Sequence, residues 1–221
     1  MGSEHNVLAD RIGALRAELP KDVTLVAVSK TKPASDIVAA MESGQLDFGE
    51  NRVQELQEKA ASLSPSIRWH QIGHLQTNKV KAIIPFVHLI HAVDSEKLLI
   101  EIERRAGNAG RIVDILLQVH IAQEDAKFGW EDGELRSFIE HGGLAGYSHV
   151  RVLGLMGMAT LTEDTSQIRS EFNGLRQSFD RLVAAGQSWD TLSMGMSGDW
   201  RIAVEEGSTM IRVGSSIFGD R

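Results

Sequence analysis

The sequence predicts a single α/β domain, a (β/α)8 barrel of the TIM type with one extra helix at its N-terminus. Apolar runs short enough for strands recur eight times, and a longer helical pattern separates each run from the next. A further observation removes the main competitor. An open doubly wound sheet would carry a glycine-rich dinucleotide turn after its first strand, and Lys30-Thr31-Lys32-Pro33 is not one.

Residues 6–19 place Val7, Leu8, Ile12, Leu15 and Leu19 at near-helical spacing ahead of Pro20, an amphipathic helix expected to pack outside the barrel. The first strand, 23–29, is rich in Val and Leu, almost free of charge, and runs into Lys30. Strand two, 46–49, opens into Glu50-Asn51, and strand three, 67–72, carries His70-Gln71 on its way to Gly73-His74. Strand four, 87–92, leads into Val93-Asp94, and the remaining strands are expected at 113–121, 150–158, 191–194 and 210–213. The intervening helices are expected at 34–43, 52–62, 77–84, 95–106, 132–141, 165–185 and 199–205. No low-complexity linker divides these elements, so residues 1–221 read as one domain at the compact end of the barrel size range.

Composition narrows the function. A net charge of −7 gives no general attraction to nucleic acid or acidic lipid, although a local basic pocket for one phosphate remains compatible with it. The chain has no cysteine, which excludes disulfides, thiol catalysis and thiolate metal sites. Residues 1–20 are charged throughout and lack the apolar core of a secretory signal, and no apolar run approaches a membrane span. A cytoplasmic protein with neither nucleic-acid nor membrane partner is expected.

In a barrel of this kind functional groups collect at the C-terminal ends of the strands. Lys30 stands at the first such end, in apolar surroundings that disfavour an ammonium and free the amine as a nucleophile. A Schiff-base lysine needs that setting; a lone lysine there more often snorkels into water. The segments after strands seven and eight shift the balance. Met196-Ser197-Gly198-Asp199 and Val213-Gly214-Ser215-Ser216 offer glycines and hydroxyls where barrel enzymes often seat phosphate, although either segment taken singly reads as a helix cap. A phosphate seat and a strand-end lysine together point to pyridoxal 5′-phosphate (PLP). Its ring nitrogen needs a partner, and Arg212 at the end of strand eight is the candidate. A guanidinium keeps its own proton, so the ring beside it is a weak electron sink.

Several segments then resemble one family. They are Val28-Ser-Lys-Thr-Lys-Pro33, Phe48-Gly-Glu-Asn51 with Gln54-Glu55, Trp69-His-Gln-Ile-Gly-His-Leu-Gln-Thr-Asn-Lys79, Gly154-Leu-Met156, Ser193-Met-Gly-Met-Ser-Gly-Asp199 and Gly207-Ser-Thr-Met-Ile-Arg-Val-Gly-Ser-Ser-Ile-Phe-Gly219. Together they resemble the YggS-type pyridoxal phosphate homeostasis proteins, also called PLPBP or PROSC proteins, over nearly the whole chain. The resemblance implies a barrel like the N-terminal domain of alanine racemase, with PLP in covalent aldimine linkage to Lys30. It further implies Arg212 against the pyridine nitrogen, Ser197, Gly214 and Ser215 around the phosphate, and Asn51 beside the cofactor. Two departures are visible: Arg52 where many relatives carry Tyr, and Ser215 where Thr is common.

A racemase needs an acid or base on each face of its substrate. In alanine racemase, by family comparison, the second base is a tyrosine from an added domain, for which this sequence leaves no room after Gly219. The one tyrosine, Tyr147, precedes strand six and is expected at the end away from the pocket. The preferred function is therefore a PLP-binding protein of vitamin B6 homeostasis that buffers the cofactor or delivers it to apo-enzymes. It is expected to be monomeric, with no catalytic residue and no metal site assigned. The alternative is a weak PLP-dependent amino-acid racemase, for which His70, His74 and His91 are the candidate second bases. A metal hydrolase would use these histidines as ligands, but no compact motif such as His-Glu-x-x-His supports it. Lys127, after strand five, is either a transient cofactor acceptor or an exposed loop lysine. Asn78 either supports the pocket or caps a helix.

Overall fold

A computed structural model describes residues 2–123 and 128–219. Its elements run α1 (Gly2–Glu18), β1 (Thr24–Val28), α2 (Ala34–Glu42), β2 (Asp47–Glu50), α3 (Val53–Ser62), β3 (Arg68–Gln71), then a 3-10 turn (Thr77–Lys79) leading into α4 (Val80–Ile83). They continue β4 (Leu89–Val93), α5 (Glu96–Asn108), β5 (Val113–Gln118), α6 (Asp132–Glu140), β6 (Val150–Met156), α7 (Thr165–Ala184), β7 (Thr191–Ser193), α8 (Trp200–Glu205), β8 (Met210–Val213) and α9 (Ser215–Phe218). The strands follow one another around a closed barrel, all parallel, and β8 returns to pair with β1. The expected barrel is the observed one. Parallel neighbours require crossovers, and the helices that make them cover the sheet's outer surface.

Two apolar layers result. The larger lies between strands and helices and includes Ala27, Phe48, Trp69, Ile90, Leu117, Leu155, Leu192 and Ile211. The smaller, Val26, Leu89, Ala92, Leu116, Met156 and Met210, joins residues of non-adjacent strands and so fills part of the barrel interior. The rest of that interior is polar. Outside the repeat, α1 buries Leu8, Ile12 and Leu15, and Arg11 Nη1 donates to Ile217 O at 3.0 Å, tying the chain's first helix to its last. Among the described residues no helix is long and apolar enough to cross a membrane.

The structure corrects the bounds of four elements. The expected helix 77–84 is a 3-10 turn followed by a single α-turn. Thr77 and Asn78 are weak helix formers, and Pro85 ends the segment, so a longer α-helix has nothing to build on. Strands five and six stop at Gln118 and Met156, short of 121 and 158. There the apolar residues leave the sheet at its rim: Val119 bridges to Trp130, and Met158 and Ala159 line a cavity. The N-terminal helix starts at Gly2, earlier than residue 6.

Where Ile115 pairs Val152 and Leu116 pairs Gly154, β6 carries one residue more than β5. Gly154 has φ +155°, and a Cβ on it would lie 1.9 Å from Thr191 O. Gly154→Ala is therefore expected to cost about 2–4 kcal/mol of stability. Urea denaturation measures it, and a midpoint equal to wild type would show that the bulge accepts a side chain.

Candidate cofactor site at the C-terminal rim

A cavity of about 620 Å³ opens at the C-terminal ends of the strands. Lys30, Asn51, Ser197, Arg212, Gly214 and Ser215 all line it, together with Thr31, His74, Met158 and Asp199. Every residue singled out from the sequence as cofactor-binding thus reaches one space.

Lys30 is half-buried, and the residues on either side of it are tied down from outside the barrel. Ser29 Oγ donates to Glu50 Oε1 at 2.6 Å. The Lys59 ammonium, on α3, donates to Ser29 O (2.8 Å), Glu50 Oε1 (2.8 Å) and Glu55 Oε1 (2.6 Å), which satisfies its three N–H groups. Glu55 Oε1 also accepts from Thr31 N–H at 2.6 Å. Thr31 has φ +64°, a strained value for a β-branched residue, and this hydrogen bond helps hold it there. Burial raises the pKa of Glu50, whose second oxygen has no partner, against the lowering effect of Lys59 and Ser29. Glu55 feels burial in the same upward sense, but Lys59 and the Thr31 amide outweigh it and hold its carboxyl below the usual range.

Asn51 follows β2. Its carbonyl accepts from Gln71 Nε2 at 3.0 Å, and Gly73 lies so close that a Cβ there would meet Asn51 O at 2.6 Å. On the far side, Gly214 N–H donates to Ser197 Oγ at 3.1 Å and joins the loops after β7 and β8. The N–H groups of Ile217 and Phe218 both return to Gly214 O. Ser215 and Ser216 open α9 at an exposed position, where the first N–H groups of a helix have no acceptor within it.

Arg212 is 3% exposed, and burial pushes its pKa down to about 10, with Asp199 pulling the other way. It remains a cation at neutral pH. Nη1 donates to Ser193 Oγ at 2.5 Å and Nη2 to Gly157 O at 3.0 Å, leaving further donors of the guanidinium on the cavity side. Asp199 accepts from Met196 N–H at 2.6 Å, and burial raises its pKa. Behind Arg212 the contacts continue through the barrel. Ser193 Oγ lies 3.2 Å from His91 Nδ1, His91 Nε2 lies 2.9 Å from His70 Nδ1, and His70 Nε2 lies 3.1 Å from Asp47 Oδ1. Arg68 closes the line, with Nε 2.7 Å from Oδ1 and Nη2 2.5 Å from Oδ2 of Asp47. Burial raises the Asp47 pKa, but Arg68 and His70 more than reverse this and hold it far below the carboxylate range.

Of the three candidate bases, only His74 lines the cavity; its Nδ1 donates to Asp94 Oδ2 at 2.8 Å, and its ring packs tilted against Phe128 with centroids 4.4 Å apart. His70 and His91 point inward along the barrel axis and belong to the line behind Arg212. Asp47, His70 and His88 bring ligand-type atoms within 4.8 Å of one another, but Arg68 already takes both Asp47 oxygens and places a positive charge beside them. Tyr147, Arg52 and Asn78 do not line the cavity, and Arg52 and Asn78 are exposed. Lys127 lies outside the described residues. Sequence reasoning missed Lys59, Asp47 and Ser193: Lys59 reaches from α3 to Glu50 and Ser29, Asp47 meets Arg68 and His70 on the next strand, and Ser193 meets His91 across the barrel.

Burial, with His70 and Arg212 beside it, lowers the His91 pKa well below the ordinary value, and burial lowers that of His88. The unfolded chain therefore takes up these protons first as pH falls below about 6.5, and stability is lost in that direction. Unfolding free energy is expected to drop between pH 7 and 5.5 by up to about 1.4 kcal/mol per pH unit from the buried His91, with a smaller share from the solvent-exposed His88. His91→Asn should flatten that slope in urea titrations; an unchanged slope would remove His91 as its source.

Comparison with known proteins places the chain. The family model for the alanine racemase N-terminal domain matches residues 5–221. The pyridoxal phosphate homeostasis protein of Aquifex aeolicus is 38% identical over 199 residues, covering 89% of this chain and 86% of that protein. Its Homo sapiens counterpart is 36% identical over 240 residues, covering 100% of this chain and 86% of its own. PipY of Synechococcus elongatus PCC7942, solved with PLP bound, is 39% identical with a TM-score of 0.89, covering 96% of this chain and 100% of PipY. An alanine racemase of Clostridium difficile 630, 16% identical with a TM-score of 0.81, shares the fold, and this chain covers 98% of itself and 57% of that one. By identity and coverage together, this chain belongs to the family of the pyridoxal phosphate homeostasis proteins, built on the alanine racemase N-terminal domain.

Proposed function

We propose that this protein binds PLP reversibly at Lys30 and serves vitamin B6 homeostasis by buffering the cofactor or delivering it to apo-enzymes. The observation that carries this is the convergence of Lys30, the buried Arg212 guanidinium and the joined Ser197–Gly214 loops on one cavity. PLP supplies an aldehyde that condenses with a primary amine, releasing one water, and a ring nitrogen whose protonation sets its electron demand. The residues fit it. Lys30 offers the amine, Ser197 and Ser215 offer hydroxyl donors to a phosphate, Gly214 joins their two loops through its N–H on Ser197 Oγ, and Asn51 lines the same cavity. Arg212, still cationic with a pKa of about 10, donates to the ring nitrogen and keeps that nitrogen unprotonated.

An unprotonated ring suits storage better than turnover, because it withdraws electrons weakly. A monomer acting in the cytoplasm completes the proposal, and a chain without cysteine suits a reducing compartment. One observation favours weak amino-acid racemisation as the second choice: His74 lines the cavity with Asp94 behind it. Racemisation of alanine abolished by His74→Ala would support that choice over storage.

Purified protein incubated with PLP is expected to turn yellow, and borohydride should bleach the colour and leave a stable adduct mapped to Lys30. Lys30→Ala should give neither colour nor adduct. Arg212→Ala should weaken PLP binding roughly 10- to 100-fold, the worth of a hydrogen bond from a buried charge. An adduct on another lysine, or no uptake, would overturn the proposal.

A further inference from the structure

We propose that Ser193, His91, His70 and Asp47 are positioning residues, a one-way line of hydrogen bonds that orients Arg212 from the opposite end of the barrel. The inference rests on the PLP assignment above, with Arg212 as partner of the ring nitrogen. None of these four residues lines the cavity, so none touches the cofactor.

The direction of the line follows from its two ends. Arg212 can only donate, so Ser193 Oγ accepts from it, and the single Ser193 hydrogen must find another acceptor. At the other end the Asp47 carboxylate, clamped by Arg68, can only accept, so His70 carries its proton on Nε2. A neutral His70 then accepts at Nδ1, which requires His91 to donate from Nε2. His91 in turn accepts at Nδ1, and that is the acceptor the Ser193 hydrogen needs. Both ends demand the same arrangement. Adding a proton to His70 would reverse His91 and leave the Ser193 hydroxyl hydrogen without an acceptor.

Burial gives the line its reach. Asp47, His70, His91, Ser193 and Arg212 are each at most 7% exposed, so water competes little for the links between them, and aligned hydrogen bonds polarise one another. The guanidinium is also gripped at Gly157 O, so Ser193 fixes its rotation about that contact. Losing Ser193 leaves Nη1 unpaired and free to turn away from the ring. The far end lies open, because Asp47 and Arg68 line a second cavity of about 370 Å³ on the other side of the barrel.

The test uses PLP labelled with 15N in its ring, bound to the full-length protein, with ring-nitrogen chemical shift and PLP affinity as readouts. Ser193→Ala and His91→Leu are expected to move the ring resonance and weaken binding about tenfold, while Lys30 still forms its borohydride-stable adduct. Ser193→Thr, which keeps the hydroxyl, should restore the wild-type resonance. Should Ser193→Ala fail to fold, His91→Leu, apolar and of similar size, carries the same comparison. A wild-type resonance and affinity in the variants, with the adduct intact, would sink the line alone. Failure of wild-type protein to form the Lys30 adduct would sink the PLP assignment and this inference with it.

Discussion

The rest of the site depends on one buried charge. Arg212 is only 3% exposed, and removing a guanidinium from water costs several kcal/mol unless acceptors replace the solvent. Burial lowers its pKa only to about 10, so giving up the proton is no escape near neutral pH. The interior must therefore supply oxygen atoms. It does so with Ser193 and the Gly157 carbonyl, and Asp199 lends a nearby negative charge. This explains why the barrel is not filled by layers of branched apolar side chains as such barrels usually are. Apolar packing occupies part of the interior, and a polar line from Arg212 to Asp47 occupies the rest.

A second charged cluster works on the other side of the sheet. Lys59, Glu50 and Glu55 lie between the strands and α3, and they hold the backbone before and after Lys30. The inner line positions Arg212 and the outer cluster positions Lys30. These two residues come from neighbouring strands, since Val26 pairs with Arg212 in the β1–β8 register. Breaking the outer cluster by removing Lys59 would leave two carboxylates facing each other without a cation, a far larger loss than the pair's net contribution. Neither cluster can be judged by counting salt bridges; each matters through the backbone or side chain it immobilises.

The alternation of apolar runs with helical patterns made the barrel legible, because a parallel strand covered on both faces has to read as an apolar run. Its limits were legible less well. Residues 119–121 and 157–158 are as apolar as the strands before them, yet they turn over the rim, and hydrophobicity alone does not mark where pairing stops. The cavity residues stood out because loops after consecutive strands meet on one face, which local motifs can reveal. The line behind Arg212 could not stand out in that way. Ser193 and His91 are 102 residues apart, and no spacing rule links them. His70 and His91 were legible as polar residues within apolar strands but not as inward-facing partners, and Lys59 reads in sequence as an ordinary solvated helix residue.

The seam that closes the barrel is also the place where the proposed ligand would sit. Lys30 follows β1 and Arg212 and Gly214 flank the end of β8, so the first and last strands each contribute to the cavity. Lys32 strengthens that junction from the rim: its ammonium donates to Phe218 O at 3.1 Å and Gly219 O at 3.2 Å, tying the loop after β1 to the end of α9. A cofactor joined to Lys30 and held by the Ser197–Gly214–Ser215 loops would span the same seam. Such a ligand binds the closed barrel and not the unfolded chain, so its binding energy adds directly to closure. At a free concentration a hundred times Kd the addition is about 2.7 kcal/mol, a sizeable share of the stability of an ordinary domain. By the same linkage, any partner that favours an open β1–β8 junction would weaken ligand binding, to the extent that the ligand in turn weakens that partner's binding.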